Sequence, residues 1–543
     1  VPGKESAFFV ATRRLDGQSV RRIPLPVNYA PRREKELLND PGLVIVPPGP
    51  GRVAFWTSLV LAALMAAFFY WQVGKKEAGS EFGDRPHDGV GLRADRDYAI
   101  HTLIRSRHAH APDANAGLTE NSLRWFPHLT DGDLQPLWPW VMRSQVEEGH
   151  VRAGFEPERD AGLLRRVQSV QVWLLTGFVL LCGLMGARVL SPGALLPALL
   201  PGTLAVLLAY GTDFGPAGMN YVLVFLSWVC ALRLLHRNSV WLHGVFGVLT
   251  GLAWLTDVTA LLVVAAWLVA ATARWVRICF RRGEQGLHET WIARNHFVGL
   301  LVVVIAWVAV CGSRCGASMD HWGRPLFAWQ HHWMWLDNEA EARALTDYFE
   351  DTRSLTGRRI DLSGWDDYWK THTVDQARER ITAGWAQVWG QFFGLRPPQE
   401  PPAPFWKRGA QRQGAWLAGA AVLCAAAWLV AVTRRRRDGP PAPLPCGSAA
   451  CVMFVLLTGA GYGAWYAWYA PVQSDPRFLL VLYLPLMWSF LCGAEKMMTV
   501  ARTRGLSRRG WLIWQGLLWT WTALLAADVL LLLRETDSAL LLR

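Results

Sequence analysis

The sequence predicts an all-α polytopic membrane protein of about eleven transmembrane helices with two ordered extracytoplasmic segments. Three observations lead to the membrane class. Apolar residues make up 52% of 543, and they gather into nearly uncharged blocks of about 18–22 residues, the helical length that crosses ~30 Å of hydrocarbon. Basic residues collect at alternate connections between those blocks. Tryptophan is abundant, at 31 residues, which suits a ring that favours the headgroup layer with one edge wet.

The expected spans are 53–73, 168–188, 193–211, 217–234, 239–255, 257–274, 296–314, 413–433, 449–469, 476–494 and 511–533. Their orientation follows from charge. If the tail holding Arg13, Arg14, Arg21, Arg22, Arg32 and Arg33 is cytoplasmic, every even-numbered span ends inside. Those spans end at Arg188, at Arg233 and Arg237, at "RWVRICFRR" (274–282), at "RRRR" (434–437) and at "RTRGLSRR" (502–509). The short connections on the other side, "GTDFGPAGMN" (211–220) and "VQSDPR" (472–477), carry far less positive charge, as the positive-inside rule requires.

Four regions result: a cytoplasmic basic tail, 1–52; an N-terminal transmembrane module, 53–314, with a first outer loop at 74–167; a second extracytoplasmic segment, 315–412; and C-terminal transmembrane helices, 413–543. Outer segments of that length are functional more often than they are mere connectors. The net charge of +12 is explained by the cytoplasmic loops, and no zinc-finger spacing or RNA-binding signature is present, so nucleic acid is not an expected partner. Of the nine cysteines, Cys182, Cys230, Cys424 and Cys492 lie in apolar blocks as small hydrophobes, and the Cys311/Cys315 pair makes neither a disulfide framework nor a zinc site.

The first outer loop holds the leading chemistry. If "DRDYAIHTLIRS", which begins within "LRADRDYAIH" (92–101), is helical, Asp95 and Tyr98 share a face while Asp97 points elsewhere. A carboxylate at a membrane-facing cleft suits a general base on an acceptor hydroxyl, and equally suits a solvated helix start that offsets the macrodipole. Downstream, "WFPHLTDGDLQPLWPWVM" (125–142) mixes Trp, Pro and Gly, suggesting a re-entrant or interfacial segment whose Trp138 and Trp140 rings stack on a sugar or sit among headgroups. Histidines at "RHAHA" (107–111) and "WQHHWMW" (329–335), near Asp320 and Asp337, leave a divalent metal open, although adjacent His331 and His332 on a helix diverge by ~100°. No Walker, Rossmann, haem-attachment or nucleophile-elbow motif occurs.

In order and sidedness these elements resemble the GT-C superfamily of membrane glycosyltransferases, in its protein O-mannosyltransferase and aminoarabinose transferase-like branch. "DRDYAIHTLIR" is similar to the family's acidic residue and Tyr in the first outer loop, and "QPLWPWVM" (135–142) to its "PPLYYWL"-like run. "LTDVTALLVV" (255–264) resembles "LTKxTALL", and "PRFLLVLYLP" (476–485) resembles "PRYLLPLLP". The likeness covers about 53–494, outside the tail and most of 315–412.

The resemblance implies a transferase moving a sugar from a polyprenyl-phosphate donor to an acceptor hydroxyl with inversion, without a cofactor. The setting is a bacterial cytoplasmic membrane, N-terminus inside and C-terminus outside. Asp95 is then the base, with Asp97 second. Tyr98, Trp138 and Trp140 bind substrate, and Arg477 contacts the departing phosphate unless it only snorkels to the interface. Where many relatives have an acidic residue, this chain has Asn220, with Asp213 seven residues earlier as its replacement. Where relatives carry Lys, it has Asp257, which repels a phosphate, and a carboxylate at a membrane edge must be hydrated, paired or functional. Those departures support an alternative: a non-catalytic, GT-C-derived structural subunit whose polar tail is held by protein partners. Membrane lipids are partners in either case.

Overall fold

The computed structural model describes residues 52–79, 137–145, 161–201, 216–236, 239–280, 287–322, 325, 329–338, 340–342, 364–392, 405–437, 446–472, 481–503 and 506–541. Every regular element among them is helical. In chain order they are α1 (Arg52–Gly79), α2 (Leu137–Met142), α3 (Ala161–Gly186), α4 (Pro192–Pro201), α5 (Ala217–His236), α6 (Val240–Trp254) and α7 (Leu261–Phe280). Then come α8 (Leu287–Trp322), α9 (Trp365–Thr371), α10 (Val374–Phe392), α11 (Phe405–Arg437), α12 (Cys446–Tyr469), α13 (Tyr483–Thr503) and α14 (Arg508–Leu541). Short 3-10 turns at Val258–Ala260 and Trp329–Trp335 punctuate the series.

Eight of these helices are long and apolar enough to cross a membrane: α1, α3, α5, α7, α8, α11, α12 and α14. The remaining three expected spans are helical where described but do not meet that standard. Only 192–201 of the third expected span is described, as α4. Helix α6 has 15 residues, about 22 Å at 1.5 Å per residue, short of the hydrocarbon thickness. Helix α13 begins at Tyr483 and runs on through Glu495, Lys496 and Arg502, which dilute its apolar character. At 36 residues, α8 extends well past the expected 296–314.

Sequence chemistry explains how the helices pack. Between transmembrane helices there is little hydrophobic drive, so small residues that let backbones approach matter most. Helices α6 and α8 meet in this way: a Cβ on Gly247 would lie 2.6 Å from the Val303 carbonyl oxygen and 2.8 Å from Ala306. In α1 against α3, Gly183 sits where a Cβ would be 2.1 Å from that of Ala62. Larger rings fill the centre: Phe178 packs edge-on to Phe225, Phe225 to Trp488, and Trp228 lies 4.7 Å from Phe454. Outward faces remain apolar, with Ile305, Leu456 and Leu524 each about two-thirds exposed, as a lipid-facing surface requires.

Several polar groups inside the bundle find partners there. Thr176, Thr250, Thr458 and Thr522 donate to the carbonyl one turn back, Trp228 Nε1 donates to Ser489 Oγ at 2.8 Å, and Ser191 Oγ donates to Glu495 at 2.6 Å. The Arg274 guanidinium caps the C-terminus of α5 on the carbonyls of Leu234 and Leu235. His236 and Cys451 meet at this same end, 3.4 Å apart. Leu255, Asp257 and Tyr469 mark the opposite end, where α6 and α12 terminate. The ends bearing Arg233, Arg274 and Arg277 are therefore gathered away from it, in agreement with the charge alternation in the sequence.

The α6–α8 contact generates a paired prediction. Gly247→Ala should lower stability by about 1–3 kcal/mol through overpacking, whereas Gly316→Ala, whose Cβ would meet nothing within 4 Å, should be neutral or stabilising by up to about 1 kcal/mol. Thermal unfolding of both variants in detergent checks it.

Candidate functional site

The site forms where the Trp329–Trp335 turn, α9 and α10 fold onto the Asp257/Tyr469 end of the bundle. Local sequence sets each piece. Helix α9 starts with acidic residues in its first turn, and the Gly364 N–H donates to Asp367 Oδ2 at 3.4 Å. The stretch "TVDQ" is a capping box: Thr373 N–H donates to Gln376 Oε1 at 2.8 Å, and Gln376 N–H to Thr373 Oγ1 at 3.3 Å. Helix α10 is amphipathic, burying Ala377, Gly384 and Val388 on one stripe. Gly384 is required there, since a Cβ would lie 1.9 Å from the Ala467 carbonyl oxygen. One turn further, Trp385 and Trp389 straddle Gly463.

Arg380 lies on that buried stripe and ties the pieces together, its side chain only 7% exposed. Nε donates to the Trp468 carbonyl at 3.0 Å, and one terminal nitrogen to the carbonyls of Leu336 at 2.7 Å and Met334 at 3.4 Å. The other terminal nitrogen reaches Asp337 Oδ1 at 3.3 Å. The guanidinium also stands 4.8 Å from the Trp468 ring and 5.7 Å from that of Tyr368, a stacked cation–π arrangement that Lys would not reproduce. Trp468 Nε1 donates back to the Met334 carbonyl.

Asp337 is shared. Its second oxygen lies 3.1 Å from His372 Nε2, and the His372 ring stacks on Tyr368 at 4.1 Å and 4°. The half-exposed carboxylate faces a pocket of about 380 Å³ lined by Asp337, His372, Gln376, Gln387, Ala383 and Pro471, among others. Outside it, Lys370 binds Asp367 at 2.8 Å; the ammonium holds that carboxyl below its ordinary range, and the carboxylate raises Lys370 in return.

Further polar groups sit at the adjoining end of the bundle. Tyr462 and Tyr469 are within electrostatic reach of Asp257, and Tyr469 also of Arg380. Asp257 caps the 3-10 turn, accepting from the Thr259 N–H at 2.8 Å and hydroxyl at 2.7 Å. Next to it, Thr256 donates to the Ala253 carbonyl at 2.6 Å and lies 3.5 Å from Asn220 Oδ1. The Asp257 carboxylate is thus a helix-start cap, and Asn220 is buried beside the same junction.

Of the residues expected from sequence, Asp95, Asp97, Tyr98, Asp213 and Arg477 lie outside the described residues, as do the tail and "RHAHA". Trp138 and Trp140 are described. Trp138, 2% exposed, packs with Met142, Val167, Met219 and Trp254, and Trp140 packs against the same cluster. The Leu137 N–H joins this segment to the Leu255 carbonyl at 3.2 Å, so "PLWPW" meets the Asp257 end of the bundle. Among the described residues no group of three or more His, Cys, Asp or Glu converges to hold a metal. The sequence reading missed Arg380, His372, Tyr368 and Gln387. The available signals were the "TVDQ" box and the i,i+4 spacing of Tyr368 and His372 in "YWKTH".

Removing the Arg380 clamp should be severe, because Arg380→Ala leaves three carbonyls and a carboxylate short of a donor, at a cost of about 3 kcal/mol. Arg380→Lys should recover less than half of that; limited proteolysis of the 329–392 region, read with thermal unfolding, checks both. Comparison of the chain with protein-family models, with curated proteins and with solved structures gives no match.

Proposed function

We propose that this chain is a GT-C-like glycosyltransferase of a bacterial cytoplasmic membrane, moving a sugar from a polyprenyl-phosphate carrier to an acceptor hydroxyl on the extracytoplasmic face. The observation that carries the reading is the cluster of polar groups at Asn220, Thr256, Asp257 and Thr259. It lies at the bundle end opposite the arginine-bearing helix ends, where a membrane-anchored donor and a water-borne acceptor would meet. In this reading the eleven expected spans place the N-terminus inside and the C-terminus outside. Asp95, supported by Asp97, takes the proton of the acceptor hydroxyl as it attacks the anomeric carbon. The bond from that carbon to the carrier phosphate breaks, and Arg477 stabilises the charge that develops on the leaving phosphate. Tyr98, Trp140 and Asp213 shape the approach of donor and acceptor, and Trp138 anchors the Trp140 segment from the core.

A second reading, a GT-C-derived structural subunit of a membrane complex, is favoured by one specific observation. The two best-defined charges at this end of the bundle are both used to hold structure: Arg380 on backbone carbonyls and Asp257 as a cap.

Sugar transfer from polyprenyl-phosphate donors in proteoliposomes separates the two. The enzyme reading predicts that Asp95→Asn lowers turnover by about 10²–10⁴-fold, the usual contribution of a general base, with unchanged thermal unfolding. Wild-type turnover by that variant removes Asp95 from the mechanism, and a wild-type chain inert with all donors supports the structural subunit.

A further inference from the structure

We infer that the pocket between α10 and the end of α12 is a binding site for a neutral carbohydrate, a short glycan held by its hydroxyls. This goes beyond the transferase reading, because the pocket is built from Asp337, residues of 368–387 and Ala470 and Pro471, largely outside the part of the chain that carries the GT-C resemblance. Its volume, about 380 Å³, lies at the small end of the range for small-molecule sites, and its lining of Asp337, His372, Gln376 and Gln387 is too polar for a lipid chain.

The charge of the pocket selects the ligand class. Arg380 brings a positive charge, but its side chain is 7% exposed and its donors lie on Asp337 and three backbone carbonyls. A phosphate or carboxylate entering the pocket would meet the half-exposed Asp337 carboxylate instead. Asp337 is in turn balanced by Arg380 at 3.3 Å and has His372 at 3.1 Å, so a cationic ligand has no uncompensated anion to pair with. A neutral ligand with many hydroxyls fits what remains.

The hydrogen-bonding groups agree. A carboxylate offers about four acceptor sites, of which Arg380 and His372 occupy one on each oxygen, leaving acceptors for ligand hydroxyls. The Gln376 oxygen is engaged by Thr373, so its amide nitrogen is the group it can offer as a donor, and Gln387 brings a second carboxamide to the same wall. Ala383, Ala470 and Pro471 form a low apolar wall against which the C–H face of a pyranose packs. Fixed acceptors and donors beside an apolar surface are the complement of a sugar ring.

The test uses the full-length chain in lipid nanodiscs, titrated by calorimetry with the methyl glycosides of glucose, galactose, mannose and N-acetylglucosamine and with maltose and cellobiose. Inorganic phosphate and methylamine are titrated in parallel. The inference predicts saturable binding of at least one neutral sugar and none of either ion. Ala383→Phe, at an exposed position, should abolish binding by filling the pocket, and Gln387→Ala should weaken it about tenfold, with unchanged thermal unfolding. If Ala383→Phe fails to fold, Gln387→Ala decides. No saturable sugar, saturation by phosphate or methylamine, or a sugar that binds these variants as it binds wild type would overturn the inference. Because no donor lipid or turnover is involved, a negative result here leaves the transferase reading intact, and an inert chain in the transfer assay leaves this site intact.

Discussion

Hydrocarbon tolerates neither an unpaired backbone amide nor a bare charge, and most of this structure follows from that constraint. It makes every described element helical, turns buried threonine hydroxyls onto their own carbonyls, and permits Arg274, Glu495 and Asp528 within the helices only with partners. Arg274 caps α5, Glu495 accepts from Ser191, and Asp528 accepts from Trp416 Nε1 at 2.9 Å. With helices so alike in polarity, specificity of packing falls to shape. Gly183, Gly247 and Gly384 mark places where two backbones come too close for a methyl group.

The same constraint relaxes at the bundle end, and there the chain spends its polar residues. Helix α10 presents small residues to α12 and places Arg380 between them, so that one guanidinium closes a turn, a helix end and a carboxylate into one unit. The pocket is a by-product of that closure: Asp337 is held from behind while its front stays wet. Asp257 shows the other use of a charge at a membrane edge, ending one helix and starting the next through Thr259. Neither residue needs a ligand to justify its presence in the fold.

How much of this was legible in the sequence depended on whether the signal was local. Span 217–234 is nearly α5 and span 449–469 lies within α12, because hydropathy is a property of consecutive residues. Helices α4, α6 and α13 read less well, since each is short or laced with charge. The pocket was illegible for a different reason. Arg380 meets Asp337 across 43 positions and Trp468 across 88, and no periodicity reports such a pairing. Asp257 was flagged as needing hydration, pairing or function, and the structure supplies pairing. The "PLWPW" run was marked as unusual, but that Trp138 would enter the core beside Trp254 depends on α6, more than a hundred residues away. The acidic pair in "RADRDYAIH" and Arg477, which carried the resemblance, fall outside the described residues.

The account stands on sidedness: the pocket end of the bundle must face away from the compartment that holds the arginine clusters. Single cysteines at Ala383 and at Arg435, each in a chain freed of its own cysteines, put this to the most direct measurement, labelling by a membrane-impermeant maleimide on intact cells. The account predicts that the cysteine at 383 is labelled on intact cells and the one at 435 only after permeabilisation. Labelling of both before permeabilisation, or of 435 alone, would contradict it.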